Sequence, residues 1–268
     1  GLNSYLHEGP ATFSSDGKTV YFTRTIRGKR KTSGEQIVSV LQVYTSKKDA
    51  LGKWSAPESA FSFNSSEYSV GHPSLSQDGR TIYFMSDMPG SMGGTDIYYS
   101  SKLGAGQWSE PKNLAAPVNS FGYELFPFIH DDGTLYFSSN THAGMGKLDV
   151  FSSNKIGNKW GNIVNMKPPI NSLADDFGFI MDYDHKRGFV SSNRFNGLGS
   201  DDIYSFILNQ ADEIVFDGRQ LQVLNQTVFN GVTHKVIEKE SGKEIEPINE
   251  HSTLKYNLDE DKHYVLKT

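Results

Sequence analysis

The chain has 268 residues, of which 36% are hydrophobic, and a formal net charge of −5. This charge gives no general attraction to nucleic acid or to an anionic membrane surface, and no stretch approaches the roughly 18 apolar residues of a transmembrane helix. The absence of Cys excludes disulfides, thiolate metal sites and cysteine nucleophiles. With 26 Gly, 17 Phe and 13 Tyr, the composition favours many short strands joined by tight turns.

One set of landmarks occurs four times along the chain. Each copy starts with an apolar residue before Asn-Ser, and the four asparagines are Asn3, Asn64, Asn119 and Asn171. A hairpin turn follows, read as Asp16-Gly17, Asp78-Gly79, Asp132-Gly133 and, in the degenerate fourth copy, His185-Lys186. An aspartate then begins Asp-Ile-Tyr or Asp-Val-Phe in three copies, at Asp96, Asp149 and Asp202. A tryptophan recurs at Trp54, Trp108 and Trp160, and the fourth copy lacks it.

Each copy predicts four short antiparallel strands. The first enters the Asp-Gly turn, where Gly supplies the positive φ that such turns need. The second is a β-branched and aromatic run such as residues 19–22, the third starts at the repeated Asp, and the fourth follows the Trp. A single sheet of this kind cannot bury both of its faces, so the copies must stack. Radial stacking gives an all-β β-propeller of four-stranded blades, with the repeated aromatics packed between blades.

Residues 1–208 are therefore predicted to be propeller repeats, with five or six blades if the two ends of the chain complete the ring. Residues 209–268 lose the landmarks but keep strand-like segments. They form either the closure of the ring or a separate small β-domain.

The motifs Ser-x-Asp-Gly-Lys/Arg-Thr-x-Tyr-Phe, Asp-Ile-Tyr and Trp-x-x-Pro resemble the TolB-type, WD-like propeller repeat over residues 2–207. The variant with Asn-Ser and Trp-Ser-x-Pro is similar to the propeller of OmpA-family, PorE-like envelope proteins of Bacteroidetes. The tail from Gly231 to Thr268 resembles a shortened carboxypeptidase-regulatory-like domain. This resemblance implies a periplasmic or outer-membrane-associated protein linked to type IX secretion or to peptidoglycan-associated envelope organisation. The first residues show no signal-peptide pattern.

The repeated Asp96, Asp149 and Asp202 are predicted to be structural. Each follows a Gly-rich loop, and a carboxylate there can accept hydrogen bonds from the loop amides. The Gly loops lack the Gly-Lys-Ser/Thr of a phosphate-binding loop. No Gly-x-Ser-x-Gly or His-Glu-x-x-His motif is present either. We therefore expect no catalytic residues, metal ligands or cofactor, and a chain that is not an enzyme; the alternative is a glycan-binding or polysaccharide-acting propeller enzyme.

Two departures from the repeat are candidate binding features. An insertion between Phe22 and Val43 concentrates positive charge, and is either a solvated surface loop or a cationic arm for an acidic partner protein; its basic residues are Arg24, Arg27, Lys29, Arg30 and Lys31. Acids also lie between each Asn-Ser and the next strand, and they are Glu8, Glu67, Glu124 and Asp176. They are either local caps or a converging set at the channel mouth that binds a cation or a basic peptide.

Overall fold

The computed structural model divides the chain into two compact units, Gly1–Phe206 and Ile207–Thr268. The residues described are 2–31, 37–157, 159–195, 197–207, 214–217, 221–224, 235–246, 248–250, 253–256 and 263–267. Among them, no helix is both long and apolar enough to cross a membrane.

The first unit contains four consecutive antiparallel sheets. Blade 1 contains β1 (Glu8–Phe13), β2 (Thr19–Lys31), β3 (Ile37–Lys47) and β4 (Glu58–Ser59), and blade 2 contains β5 (Val70–Leu75), β6 (Thr81–Ser86), β7 (Asp96–Ser101) and β8 (Lys112–Asn113). A short 3-10 turn, Gly104–Gly106, precedes β8. Blade 3 contains β9 (Glu124–Ile129), β10 (Leu135–Ser139), β11 (Asp149–Ser153) and β14 (Val164–Asn165), with the hairpin β12 (Lys155–Ile156) and β13 (Lys159–Trp160) before β14. Blade 4 contains β15 (Asp176–Met181), β16 (Arg187–Ser192) and β17 (Asp202–Ile207).

The predicted fold class, an all-β propeller of four-stranded antiparallel blades, is confirmed. Blade 4 differs, because its described residues form three strands rather than four. This is the copy in which the repeat loses its Trp and the segment that would follow it.

The hairpin turns are held by their own side chains. In blade 1, Asp16 Oδ1 accepts hydrogen bonds from Ser14 Oγ at 2.6 Å and from Lys18 N at 3.0 Å. Ser76, Asp78 and Arg80 repeat this pattern in blade 2 with the same distances. The next residue is a glycine with positive φ, 65° at Gly17 and 67° at Gly79, a conformation that costs glycine little.

The hydrophobic core lies between the blades. One cluster joins Tyr21 and Val43 of blade 1 to Ile82 and Phe84 of blade 2. A second joins Tyr83 and Ile97 of blade 2 to blade 3 through a group that includes Leu135, Phe137 and Phe151. Blade 2 therefore buries its two faces against different neighbours, blade 1 on one side and blade 3 on the other.

Among the described residues, two of the three tryptophans pack against the preceding blade, and the first does not. Trp108 of blade 2 meets Tyr21 of blade 1 edge to face at 5.8 Å, and Trp160 of blade 3 meets Tyr83 of blade 2 at 6.1 Å. Trp54 has no preceding blade in the described residues and contacts Phe13 of its own blade at 6.2 Å. A lysine ammonium lies over each indole, at 4.8, 5.9 and 5.0 Å for Lys48, Lys102 and Lys155. Trp108 and Trp160 thus form equivalent joints between neighbouring blades.

The second unit contains two antiparallel sheets among its described residues. In spatial order, the first sheet pairs Ile214–Asp217 (β18), His263–Lys267 (β24), Lys235–Glu238 (β20) and Glu244–Ile245 (β21). The other pairs Leu221–Leu224 (β19), Thr253–Tyr256 (β23) and Ile248–Glu250 (β22). The likeness of this unit to a carboxypeptidase-regulatory-like domain stays a prediction.

Candidate binding face and central channel

The first strands of the four blades line a central cavity. In order, β1 packs on β5, β5 on β9 and β9 on β15. Residues of all four strands border a cavity of about 630 Å³. This volume lies within the roughly 300–1,000 Å³ that is common for ligand pockets. The channel is therefore large enough to receive side chains of a bound molecule.

A bulge in each inner strand shapes the channel wall. The bulges in blades 2 and 3 place His72 and Phe126 at φ values of 52° and 51°, a region in which a bulky residue is rare. The two rings stack with centroids 3.9 Å apart, and Phe126 also contacts Phe177 of blade 4 at 5.0 Å. The main-chain N–H of Phe126 donates a hydrogen bond to His72 Nδ1 at 3.3 Å. Strained backbone of this kind concentrates at binding and catalytic sites, which makes this aromatic stack a candidate ligand contact.

Burial makes the His72 side chain a source of pH dependence. It lowers the pKa of His72 from 6.5 to about 3, so the folded state holds the neutral ring while the unfolded chain binds a proton below pH 6.5. The resulting stability is present above pH 6.5 and is lost as the pH falls toward 3. We expect the free energy of unfolding to fall by about 2 kcal/mol more in the wild type than in His72→Asn between pH 7.5 and pH 5.

Denaturant titrations at the two pH values measure this difference. Asn is chosen because it tolerates positive φ. Parallel pH profiles for the two proteins would contradict the assignment of a buried, neutral His72.

The Asn-Ser loops are tied to the blade before them. The Asn119 amide accepts a hydrogen bond from Ile97 N at 2.8 Å and donates one to Ile97 O at 2.9 Å. Asn171 bonds the two main-chain groups of Val150 at the same distances, and Asn64 does so with Val43 at 3.2 and 2.7 Å. The repeated Asn is therefore structural, and it fixes the position of the residues that follow it.

Exposed apolar side chains follow the Asn-Ser pair in three of the four copies. Tyr5 is 87% exposed, Phe121 is 86% exposed and Leu173 is 83% exposed. Because they occupy the same place in the repeat, they lie on the same face of the propeller. We call this the loop face, and we call Tyr5, Phe121 and Leu173 its apolar residues. Apolar side chains that recur on one face mark interaction surfaces more often than isolated ones do.

Of the two interpretations of these acids, local capping fits Glu124 and Asp176 better than convergence at the channel mouth. Glu124 and Asp176 are fully buried at the start of their inner strands. Glu124 accepts hydrogen bonds from Ser120 N at 2.9 Å, from Ser139 Oγ at 2.8 Å and from Ser120 Oγ. Burial requires such partners, so these carboxylates are bound inside their own blades.

The other two acids differ from this pair. Glu8 is bound by Arg24 Nε at 3.1 Å and by Ser4 N at 2.9 Å. Glu67 is exposed. Glu124 pairs with Ser139 in blade 3, and the corresponding pair in blade 2 is Val70 with Ser86. Val70, and not Glu67, therefore occupies the position of Glu124. Across the described residues, no three of these four acids come close enough to share a metal ion.

The repeated aspartates accept hydrogen bonds from their Gly loops. Asp96 accepts from Met92 N at 2.7 Å and from Asn113 Nδ2 at 2.5 Å. Asp149 accepts from Met145 N and Gly146 N, both at 2.9 Å. Asp202 accepts from Gly199 N at 3.0 Å. These contacts hold the loop amides in place.

The basic insertion is a β-hairpin rather than a loop. Beyond the Arg24–Gln42 pair, β2 and β3 continue to pair through Arg27 and Ser39, and this extension leaves the blade at the loop face. Arg24 is not part of a free cationic arm, because it bonds Glu8 and Leu2 O and lies over the Tyr44 ring at 4.7 Å. Arg27 is exposed. The side chains of Lys29, Arg30 and Lys31 lie outside the described residues.

No protein-family model matches the chain, and no curated protein matches it. Among solved structures, TolB from Acinetobacter baumannii is 12% identical with a TM-score of 0.47, over 100% of this chain and 56% of that one. A putative TolB from Agrobacterium tumefaciens is 13% identical with a TM-score of 0.44, over 76% and 78% of the two chains. A puromycin-hydrolyzing peptidase from Mycobacterium tuberculosis is 14% identical with a TM-score of 0.44, over 77% of this chain and 30% of that one.

These likenesses concern the fold alone. They correct one prediction, namely that the chain is not an enzyme. Similar chains include the puromycin-hydrolyzing peptidase and the tricorn protease. The prediction that the chain is not an enzyme, which rests on the absence of short catalytic motifs, is therefore wrong.

Proposed function

We propose that this chain is a protein-binding propeller of the bacterial cell envelope, and that its loop face holds an apolar segment of a partner protein. The observation that carries the proposal is the recurrence of an exposed apolar residue after Asn-Ser, at Tyr5, Phe121 and Leu173. The envelope location rests on the resemblance of the repeat to OmpA-family propellers.

The loop itself does not require an apolar residue at this position. In the second copy the equivalent residue is Ser66, after an asparagine that makes the same pair of main-chain hydrogen bonds. The loop architecture thus accepts serine. Exposure of Tyr, Phe or Leu in the other three copies is better explained by a partner that covers them.

The basic hairpin supports a partner of mixed character. Its paired strands extend from the loop face and carry Arg27, with Lys29, Arg30 and Lys31 further along β2. In a chain with a net charge of −5, this local positive charge favours a partner with acidic residues next to its apolar segment. Such complementarity acts mainly on the association rate and on the choice of partner.

The test replaces the three apolar residues of the loop face by serine, the residue that the second copy already uses. The triple variant Tyr5→Ser, Phe121→Ser and Leu173→Ser should keep the melting temperature of the wild type, because these side chains are largely exposed. We expect it to lose at least about tenfold in affinity for the partner, since three apolar contacts of even 0.5–1 kcal/mol each exceed the 1.4 kcal/mol of a tenfold change.

The partner is captured from envelope extract, identified, purified, and titrated against each protein by calorimetry. The matched control is the double variant Leu51→Ser with Ile156→Ser. Both residues are exposed, and both lie at the end of their blade that is remote from the loop face. Equal affinity of the triple variant and the control would contradict the proposal. If the chain still captures envelope material after the partner protein has been removed, and glycan digestion abolishes this capture, the glycan-binding alternative is favoured instead.

A further inference from the structure

Two hairpin turns from neighbouring blades bring a pair of histidines together. His130 and Asp132 lie at the β9–β10 turn, and His185 lies at the β15–β16 turn. The two imidazole rings have centroids 3.9 Å apart. Asp132 lies against both, with Oδ1 3.1 Å from His130 Nδ1 and Oδ2 3.2 Å from His185 Nε2. One ligand atom from each of the three residues lies within 4.8 Å of the other two.

The buried His130 ring places one of its nitrogens against two carboxylate oxygens. Its Nε2 lies 3.0 Å from the carbonyl oxygen of Asp182, which can only accept a hydrogen bond. Its Nδ1 lies 2.8 Å from Asp131 Oδ1 and 3.1 Å from Asp132 Oδ1; the Asp132 N–H also approaches it, from 3.3 Å. A neutral imidazole has one N–H. With that proton on Nε2, the Nδ1 lone pair accepts from Asp132 N and also faces the carboxylate oxygens of Asp131 and Asp132. A metal ion bound at Nδ1 would lie between this lone pair and the carboxylate oxygens and would be attracted by both.

We propose that His130, Asp132 and His185 bind a Zn²⁺ ion between blades 3 and 4. Zinc takes imidazole nitrogen and carboxylate oxygen in a tetrahedral arrangement, with ligands at roughly 2.0–2.2 Å. Two ligands of one tetrahedral ion are then about 3.3 Å apart. One oxygen of Asp132 lies 3.1 Å from His130 Nδ1 and its other oxygen lies 3.2 Å from His185 Nε2, and one ligand atom from each residue fits within 4.8 Å of the others. Two imidazoles favour zinc over calcium or magnesium, which prefer oxygen ligands. Asp131 or a water molecule completes the set.

The location gives the ion a structural role. Blades 1 and 2, and blades 2 and 3, are joined by a Tyr–Trp contact, whereas the joint between blades 3 and 4 lacks the Trp and packs Tyr136 on Phe179 instead. At this joint the Asp-Gly turn is also replaced, by His185-Lys186. The change that looks like degeneration of the repeat thus supplies a metal ligand between the two blades.

The test is calorimetric titration of Zn²⁺ into the full chain, free of any histidine tag and stripped with a chelator. We expect one high-affinity zinc ion per chain and a rise in melting temperature on binding. His185→Asn should weaken zinc binding at least about tenfold, because it removes one of three protein ligands. Asn suits the φ of 56° at this position.

The matched control is Asp78→Asn. Asp78 caps Arg80 N at the turn of blade 2 as Asp132 caps Thr134 N in blade 3, but no histidine pair lies beside it among the described residues. This variant should bind zinc as the wild type does. Equal zinc affinity in the wild type and His185→Asn, or no zinc binding by the wild type, would overturn the proposal.

Discussion

Replacing Arg194 by Met should lower the free energy of unfolding of the propeller by about 3–5 kcal/mol. The Asp176 side chain is fully buried, and Arg194 Nη2 lies 2.6 Å from its Oδ1. The guanidinium also donates to Pro169 O at 3.0 Å and to Ile170 O at 2.7 Å, and it stacks over Tyr204. Without Arg194, the buried carboxylate keeps, among the described residues, only its hydrogen bonds from Ser172. This uncompensated charge is the source of the loss.

Denaturant unfolding followed by tryptophan fluorescence measures the effect, because all three tryptophans lie in the first unit. Arg187→Met is the matched control in the same blade, since Arg187 is exposed and its Nε lies 3.4 Å from a carboxylate oxygen of the half-buried Asp182. Its loss should stay below about 1 kcal/mol. The double variant Arg194→Met with Asp176→Asn should recover part of the stability. Equal losses for the Arg194 and Arg187 variants would show that the buried pair has no special role.

Replacing Trp108 by Ala should cost about 3–5 kcal/mol, the range of large aromatic deletions in cores. Trp108 is 8% exposed and contacts Tyr21 of the preceding blade at 5.8 Å and Phe61 at 6.1 Å. The deletion leaves a cavity at the joint between two blades.

Trp54→Ala is the internal control, because Trp54 has the same place in the repeat but is only half-buried against Phe13. We expect it to cost clearly less than Trp108→Ala in unfolding followed by circular dichroism. Similar costs for the two variants would contradict the view that Trp108 acts as a joint between blades.

Features that depend on local sequence could be predicted. The Asp-Gly turns, the Thr-x-Tyr-Phe strands and the four-copy order require only turn chemistry and alternation of side chains, so the fold class followed from them. The first copy shows the limit of this approach. Position in the sequence places Arg24 in the basic insertion, but the antiparallel pairing of β1 and β2 sets it opposite Glu8.

Features that depend on strand register could not be predicted. Distance from Asn-Ser places Glu67 with the other acids. In the observed register, however, Val70 pairs with Ser86 and so takes the position that Glu124 has in blade 3. The stack of His72 on Phe126 arises from bulges in two different blades, and nothing local to either residue indicates it. The apolar residues of the loop face do have a signal in the sequence, because they recur directly after Asn-Ser. The sequence does not show that their side chains are exposed, because this depends on the Asn side chains binding to the preceding blade.

Site-specific photo-crosslinking tests the proposed loop-face interaction most directly. A photoreactive phenylalanine is introduced at Phe121 and, in a separate protein, at Ile156, which is 74% exposed at the opposite end of blade 3. Both proteins are then irradiated in the intact cell envelope, and the cross-linked species are identified. A protein cross-linked from position 121 and not from position 156 is the predicted result. The same protein cross-linked equally from both positions, or only from position 156, would contradict the assignment of the loop face as the docking surface.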